Sequence, residues 1–153
     1  GSLQPGTKSN DLAVVTGAIR HEGTSSHYMP IEFPAVCDLE IVQALRSAVE
    51  RLGVRYQLGI SHSKDSFYGE VEPDRSANSE QLKDLWRAWQ IGGAICSEME
   101  ISTICIVSSI FGARAGGIMA MHGEGEFGPL DGLIIAAVES VRELIKSDKT
   151  KAA

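Results

Sequence analysis

A single α/β domain with a mixed central sheet flanked by helices is the fold class this sequence predicts, on three observations. β-Branched runs of strand length alternate with segments whose apolar residues recur at helical spacing. Gly and polar turn formers separate them. The 153 residues, 43% of them hydrophobic, also suffice to bury a core without a disulfide or metal staple. A folded chain of this size hides roughly 70% of the surface its unfolded form exposes.

Residues 12–19 are a β-branched run ending near Gly17 and read as the first strand. Over 38–52, Ile41, Val42, Leu45, Ala48, Val49 and Leu52 share one helical face, with Asp38 as N-cap and Gly53 as C-cap. Residues 54–60 form a second strand, and a long polar connection containing Pro73 extends over 61–78. A connection of that length is more often functional than idle. Residues 79–90 make a second helix, capped by Ser79, with Leu82, Leu85, Trp86 and Trp89 as its apolar face. A short strand over 94–98 leads into a helix over 99–111 that Gly112 ends, and a strand over 114–121 comes next. Residues 122–131 are Gly-rich and turn-like, and 132–146 are a closing amphipathic helix. The domain thus occupies residues 1–146, and 147–153 are a polar C-terminal tail. Architectures of this kind bind ligands at the carboxyl ends of their strands.

Composition narrows the partners. With 14 Lys and Arg against 20 Asp and Glu the net charge is −6, and the basic residues are scattered, which disfavours nucleic acid. The longest nearly uncharged stretch, 101–121, holds Arg114 and several Gly and changes periodicity midway, so no membrane span is expected. Residues 1–10 lack the basic and apolar regions of a signal peptide. Cys37, Cys96 and Cys105 form an odd, widely spaced set, which fits small buried thiols in a reducing compartment; a cytoplasmic location is the expectation.

Chemistry concentrates in three segments. In Ser97-Glu98-Met99-Glu100 a strand gives way to a helix, and a carboxylate there is held ionised by N-terminal N–H groups. Such a carboxylate accepts two hydrogen bonds, matching the adjacent 2′ and 3′ hydroxyls of a ribose; spacing alone favours the plainer reading of Glu100 as a first-turn helix acid. The second segment, 65–75, offers Phe67 and Tyr68 as a wall for a planar base and Arg75 as a donor to carbonyl oxygens. Its plain alternative is a solvated loop with a buried Phe67. The third, 17–34, contains Arg20, His21, Glu22, Thr24, His27 and Tyr28, but no third ligand stands at metal-site spacing beside the two histidines, so no metal is expected. His62 and His122 at strand ends read as rings satisfied by backbone. Cys105, Ser108 and Ser109 have no base at motif spacing, which leaves nucleophilic catalysis without support.

Several strings carry a resemblance that periodicity does not supply. They are Gly-Ser-Leu-Gln-Pro-Gly at 1–6, Thr-Gly-Ala-Ile-Arg-His-Glu-Gly-Thr-Ser-Ser-His-Tyr at 16–28, Glu-Phe-Pro-Ala-Val-Cys-Asp at 32–38, Ser-Lys-Asp-Ser-Phe-Tyr at 63–68 and Ser-Glu-Met-Glu at 97–100. In this order they resemble the nucleoside phosphorylase superfamily, and within it the uridine phosphorylases most closely. The resemblance implies that fold, and phosphorolysis of a nucleoside to free base and ribose 1-phosphate, a pentosyl transfer in nucleoside salvage or catabolism. It also implies inorganic phosphate as co-substrate with no other cofactor. Glu98, Met99 and Glu100 become ribose-binding residues: Glu100 takes the hydroxyls, Met99 packs on the sugar and Glu98 belongs to the same segment. Phe67, Glu70 and Arg75 become base-binding residues. A homo-oligomer, or a complex with a further N-terminal part, is implied as well.

Two departures from the family pattern matter. Glu70 stands where the family has a Gln that pairs with the uracil edge, so an acceptor-only group replaces one that also donates. It either meets the N3–H of uracil, pairs with Arg75, or turns to solvent, and base preference depends on which. In purine-specific relatives an acid after the last strand protonates the leaving base; His122 is the purine-side candidate here. The family's Gly-rich phosphate loop and its Arg precede the equivalent of Gly1, so the sequence matches the C-terminal part of the family chain, and phosphorolysis is expected to need that segment. The alternatives are a purine nucleoside phosphorylase, a nucleosidase that uses water instead of phosphate, or a non-catalytic nucleoside-binding module.

Overall fold

A computed structural model describes residues 1–151. Its pivot is strand β1 (Leu12–His21), whose Leu12, Ala13, Val14 and Val15 are almost wholly buried. β1 runs parallel to β3 (Tyr56–Lys64) over its whole length, and β4 (Cys96–Glu98) adds in parallel at Ser61 to Ser63. Its other edge is shared. β5 (Gly117–Ala120) pairs antiparallel with Leu12 to Val15, and β2 (Ala35–Val36) pairs antiparallel with Gly17 and Ala18. The sheet is therefore mixed, as expected. Thr16 sits at the handover: the β1–β3 register skips it between Val15 and Gly17, and its carbonyl accepts the Cys37 N–H at 3.1 Å. Such a bulge bends a strand and re-aims the side chains beyond it, here Arg20, His21 and Glu22.

The first helix forms as its sequence dictates. α1 (Leu39–Leu52) starts at Asp38, whose Oδ1 accepts the N–H groups of Glu40 and Ile41 at 2.9 and 3.3 Å. It ends at Gly53, which takes the left-handed conformation at φ 65°. Val42, Leu45, Ala48 and Val49 bury the face turned to the core, a cluster that also contains Ile95, Cys105, Ile106 and Met121. Deleting any one of the larger of these side chains costs about 2–5 kcal/mol in a close-packed interior.

Boundaries differ from expectation where polar residues belong to regular structure. Residues 61–64 read as loop because Ser-His-Ser-Lys has no apolar content, yet the backbone keeps pairing with β1 as far as His21 opposite Lys64. The connection after it holds a short helix, α2 (Phe67–Val71), and one 3₁₀ turn at Pro73–Arg75. α3 (Ser79–Ile91) is preceded by Asn78; Ser79 is its first helical residue and donates to Asp74 Oδ1 at 3.0 Å instead of capping. α4 (Ile101–Ile110) is shorter than expected, and Gly112 stands just beyond it at φ 64°. α5 (Asp131–Lys151) extends past residue 146 through five polar residues of the expected tail. Arg114 pairs with Asp148, and Lys151 with Glu40, which ties that last turn to the body of the domain. Residues 152 and 153 of the tail lie outside the described residues.

The loop after β5 is clamped to the N-terminal segment. Gly123 N–H donates to Ser9 Oγ at 3.2 Å, Ser9 N–H donates to the Glu124 carbonyl at 2.9 Å, and a Cβ on Gly123 would strike the backbone carbonyl of Thr7. Gly132 differs: a Cβ there meets Val54 at an ordinary 3.5 Å within a helix. Gly123→Ala is therefore expected to lower stability by about 1–3 kcal/mol, as overpacked sites do. Gly132→Ala should be neutral or gain up to roughly 1 kcal/mol. Urea denaturation of the two variants side by side reads the contrast.

Candidate functional site at the ends of three strands

The carboxyl ends of β1, β3 and β4 converge on the N-terminus of α4. Strand alternation sends Ser61 and Ser63 to one face of β3, and His62 and Lys64 to the other. On the first face Ser61 and Ser63 donate to Glu98 Oε1 at 3.0 and 2.5 Å. Glu98 Oε2 accepts the N–H groups of Glu100 and Ile101 at 2.6 and 2.7 Å. Both oxygens of Glu98 are thus occupied by protein, and it fastens the start of α4 to β3 rather than standing as a free ligand. Ser63 Oγ also accepts the Ser102 N–H at 3.0 Å. Ser102 Oγ donates to Glu22 Oε1 at 2.6 Å, and Glu22 Oε2 accepts the Ser25 N–H at 2.8 Å. Burial pushes the Glu22 carboxyl up, but the hydrogen bonds from Ser102 and Ser25 outweigh it and hold the pKa down at about 2.

These ties leave Met99 and Glu100 projecting where strand becomes helix. Both are exposed, Met99 at 39%. Glu100 Oε2 accepts only the neighbouring Met99 N–H, at 3.1 Å, and Oε1 has no hydrogen-bond partner among the described residues. The two carboxylates have opposite fates: one is spent on the fold, the other is free.

On the second face Lys64 pairs with Glu70 and donates to Ser97 Oγ at 2.5 Å, while Ser97 Oγ donates to Glu70 Oε2 at 2.5 Å. Glu70 is neither turned to solvent nor joined to Arg75. Arg75 lies 74% exposed and pairs with Glu72 at 2.7 Å. Sequence spacing does not single out Lys64, because its partner lies across a loop and a turn of helix. Ser97 also holds Gly1, through backbone hydrogen bonds of 2.9 and 3.0 Å. Phe67 is exposed, not buried, and meets Tyr68 edge to face with ring centres 5.5 Å apart.

His62 is not satisfied by backbone. Its Nε2 shares a 2.9 Å hydrogen bond with Nδ1 of His21, and its Nδ1 is buried with no partner among the described residues. Trp86 and Trp89 flank the ring at 6.0 and 5.9 Å. Burial, with His21 and Lys64 close by, lowers its pKa to about 4. Lys64, Glu70, His62 and both Trp line a cavity of about 500 Å³ between β3, α2 and α3, which Phe67, Arg75, Met99 and Glu100 do not reach. Glu70 is the one expected base-site residue in its wall. His122 is exposed and stacks on Phe127 with ring centres 5.8 Å apart. Arg20 binds the carbonyls of Met29, Pro30 and Phe33 and so fixes the loop after β1. The three cysteines are free and buried, with Cys37 and Cys105 Sγ 3.6 Å apart.

The sequence model of the Phosphorylase superfamily matches residues 1–147 of the chain. The chain belongs to that superfamily. It is 34% identical to the uridine phosphorylase of Treponema pallidum (strain Nichols) over 99% of its own length and 62% of that protein's. It is 36% identical to the uridine phosphorylase of Thermococcus kodakarensis over 99% of its own length and 57% of that protein's. The chain therefore spans about three fifths of the length of these superfamily relatives. Among the described residues no helix is long and apolar enough to cross a membrane.

The two perturbed groups give separate acid limits. Glu22, lowered from 4.5 to about 2, stabilises the fold above its unfolded value, and that contribution is lost as pH falls from about 4.5 toward 2. His62 is held neutral with its pKa lowered from 6.5 to about 4, so its contribution is complete above pH 6.5 and is lost between there and about 4. Each is worth on the order of 3 kcal/mol at full extent. Stability measured against pH should flatten in the upper window for His62→Gln and in the lower one for Glu22→Gln. Unchanged slopes in both variants would contradict the assignment.

Proposed function

We infer that the chain carries the nucleoside-binding part of a uridine phosphorylase-type site, and that the whole protein cleaves a nucleoside, uridine first, with phosphate to give free base and ribose 1-phosphate. The observation that carries this reading is the Ser97 to Glu100 junction, where Glu98 is consumed in fastening α4 to β3 and Glu100 stands free, in a chain 34–36% identical to uridine phosphorylases over 99% of its length. Glycosidic cleavage builds positive charge on the sugar, so the site must grip the ribose, bring phosphate to the anomeric carbon and stabilise the departing base. Glu100 accepts from the 2′ and 3′ hydroxyls and Met99 packs on the sugar face. Glu98 positions both. Phe67 walls the base, Glu70 accepts from its ring N–H, and Arg75 donates to a carbonyl once it leaves its exposed pair with Glu72, a pair of the kind worth about 0–1 kcal/mol. Inorganic phosphate is a co-substrate and no other cofactor is invoked. Residues 1–146 act as one unit within a larger phosphorylase domain, and the buried free thiols fit action in the reducing cytoplasm.

Glu100→Ala in the full-length gene product should lower kcat/KM for uridine at least a hundredfold. Two hydrogen bonds to a charged group, at roughly 1.5–3 kcal/mol each, set that scale. Phosphate-dependent release of uracil measures it, and near-normal turnover by the variant would remove Glu100 from the ribose site.

Assembly is part of the same reading. Ile134, Val138, Val141 and Ile145 lie on one side of α5 with exposures of 46–59%, an apolar stripe that association would cover. The protein should form a homo-oligomer or hold a further segment against that stripe. Light scattering on the 153-residue chain is expected to give a mass above 16.4 kDa, or a species that melts at low temperature. A well-folded monodisperse monomer would overturn the expectation.

A further inference from the structure

Two of the three cysteines are held in contact. Cys37 Sγ and Cys105 Sγ lie 3.6 Å apart within the core cluster, one thiol hydrogen-bonded to the other. The backbone fixes each from its own side. Cys37 donates its N–H to the Thr16 carbonyl at 3.1 Å, and the next residue, Asp38, donates its N–H to the Ala115 carbonyl at 2.7 Å and caps α1. Cys105 stands in the second turn of α4, whose start is fastened by Glu98 and by the Ser102 N–H on Ser63 Oγ. Cys96 on β4 is as deeply buried but has no sulfur within hydrogen-bond reach among the described residues. None of the three thiols belongs to the nucleoside site described above.

We propose that Cys37 and Cys105 are an oxidative modification site: hydrogen peroxide closes them into a reversible disulfide inside the folded protein, which locks the start of α1 to α4, while Cys96 stays a thiol. The sulfurs are already in contact and need to approach by only roughly 1.5 Å to reach bonding distance. The hydrogen bond from Cys37 lowers the Cys105 thiol against the opposing effect of burial, so Cys105 is the sulfur that attacks. Its sulfur bonds to one peroxide oxygen as the O–O bond breaks, which gives a sulfenic acid and a hydroxide that leaves as water with the Cys105 thiol proton. The Cys37 sulfur then bonds to the Cys105 sulfur, the S–O bond breaks, and the hydroxyl leaves with the Cys37 proton as a second water. Two thiols lose two electrons and two protons, and peroxide is reduced to two waters. A sulfenic acid formed beside a second thiol is captured before further peroxide carries it to the irreversible sulfinic acid. Cys96, its thiol pushed up to about 12 by burial and without a sulfur neighbour, neither attacks nor is captured. The bond joins positions 68 apart and closes a loop that holds α1, β3, α2, α3, β4 and the Glu100 junction, so it restricts the unfolded chain and stabilises the fold. In a reducing compartment the pair stays open until peroxide rises.

The test treats the full-length gene product with hydrogen peroxide, folded and in urea, alkylates the remaining thiols in denaturant and maps the peptides by mass. The folded protein should give a linked peptide pair through Cys37 and Cys105 that lacks two hydrogens, with Cys96 alkylated and both thiols restored by dithiothreitol. The oxidised form should melt at least ~5 °C above the reduced one, the scale a closed loop of this length sets. Cys96→Ala should still form the link, and Cys105→Ala should show no rise in melting temperature on the same treatment. Should Cys105→Ala fail to fold, reversal of the rise by dithiothreitol in the wild type makes the same comparison. Alkylation of both Cys37 and Cys105 after peroxide overturns the proposal, as does a link through Cys96 or between chains, or sulfinic acid in place of the link. A link that forms only in urea, or a linked protein whose melting temperature is unchanged, overturns it equally.

Discussion

The carboxylate of Glu98 gathers four hydrogen bonds, two from serines on β3 and two from the N–H groups of Glu100 and Ile101 where α4 begins, and the arrangement of the site depends on it. A helix N-terminus buried against a sheet must have its N–H groups satisfied. Glu98 does this with a side chain that originates on β4, so strand and helix are fastened at the point where the chain reverses. Glu22 repeats the device from the end of β1 through Ser102. With both ties made, Glu100 follows directly on fastened backbone while its own carboxylate accepts only the Met99 N–H among the described residues.

Strand alternation then divides the chemistry. Because successive side chains of β3 face opposite ways, Ser61 and Ser63 serve Glu98 while His62 and Lys64 serve the cavity beneath α3. The polar end of β3 is thus read on both faces at once. An apolar strand end would pack more tightly and would offer neither the donors for Glu98 nor the cation for Glu70. The cost shows in the buried Nδ1 of His62, without a partner among the described residues.

Local signals were legible and cross-chain ones were not. Asp38 and Gly53 bracket α1 because a cap accepts N–H groups two and three residues on and a left-handed C-cap suits Gly, both matters of neighbouring sequence. Residues 61–64 misled because strand patterning looks for apolar alternation, and polar residues alternate just as well when each face has a polar partner. The His21–His62 bond joins residues 41 positions apart, and no spacing rule reaches that far. At Ser97 to Glu100 the sequence marks the segment but not the division of labour, which the direction of the strand decides: the carboxylate still on β4 points at β3, and the one past it does not.

Glu70 illustrates why a family pattern and a physical reading are both needed. The resemblance singles out position 70, but only the fold supplies the buried ammonium that makes an acid tolerable there. A lone Glu in place of an amide, 11% exposed, would be a desolvated charge. With Lys64 and Ser97 it becomes a neutral, internally bonded cluster packed against Gly1. The replacement of an amide by an acid is therefore a matter of two positions, and the second of them, Lys64, sits at a strand end where sequence alone reads a loop.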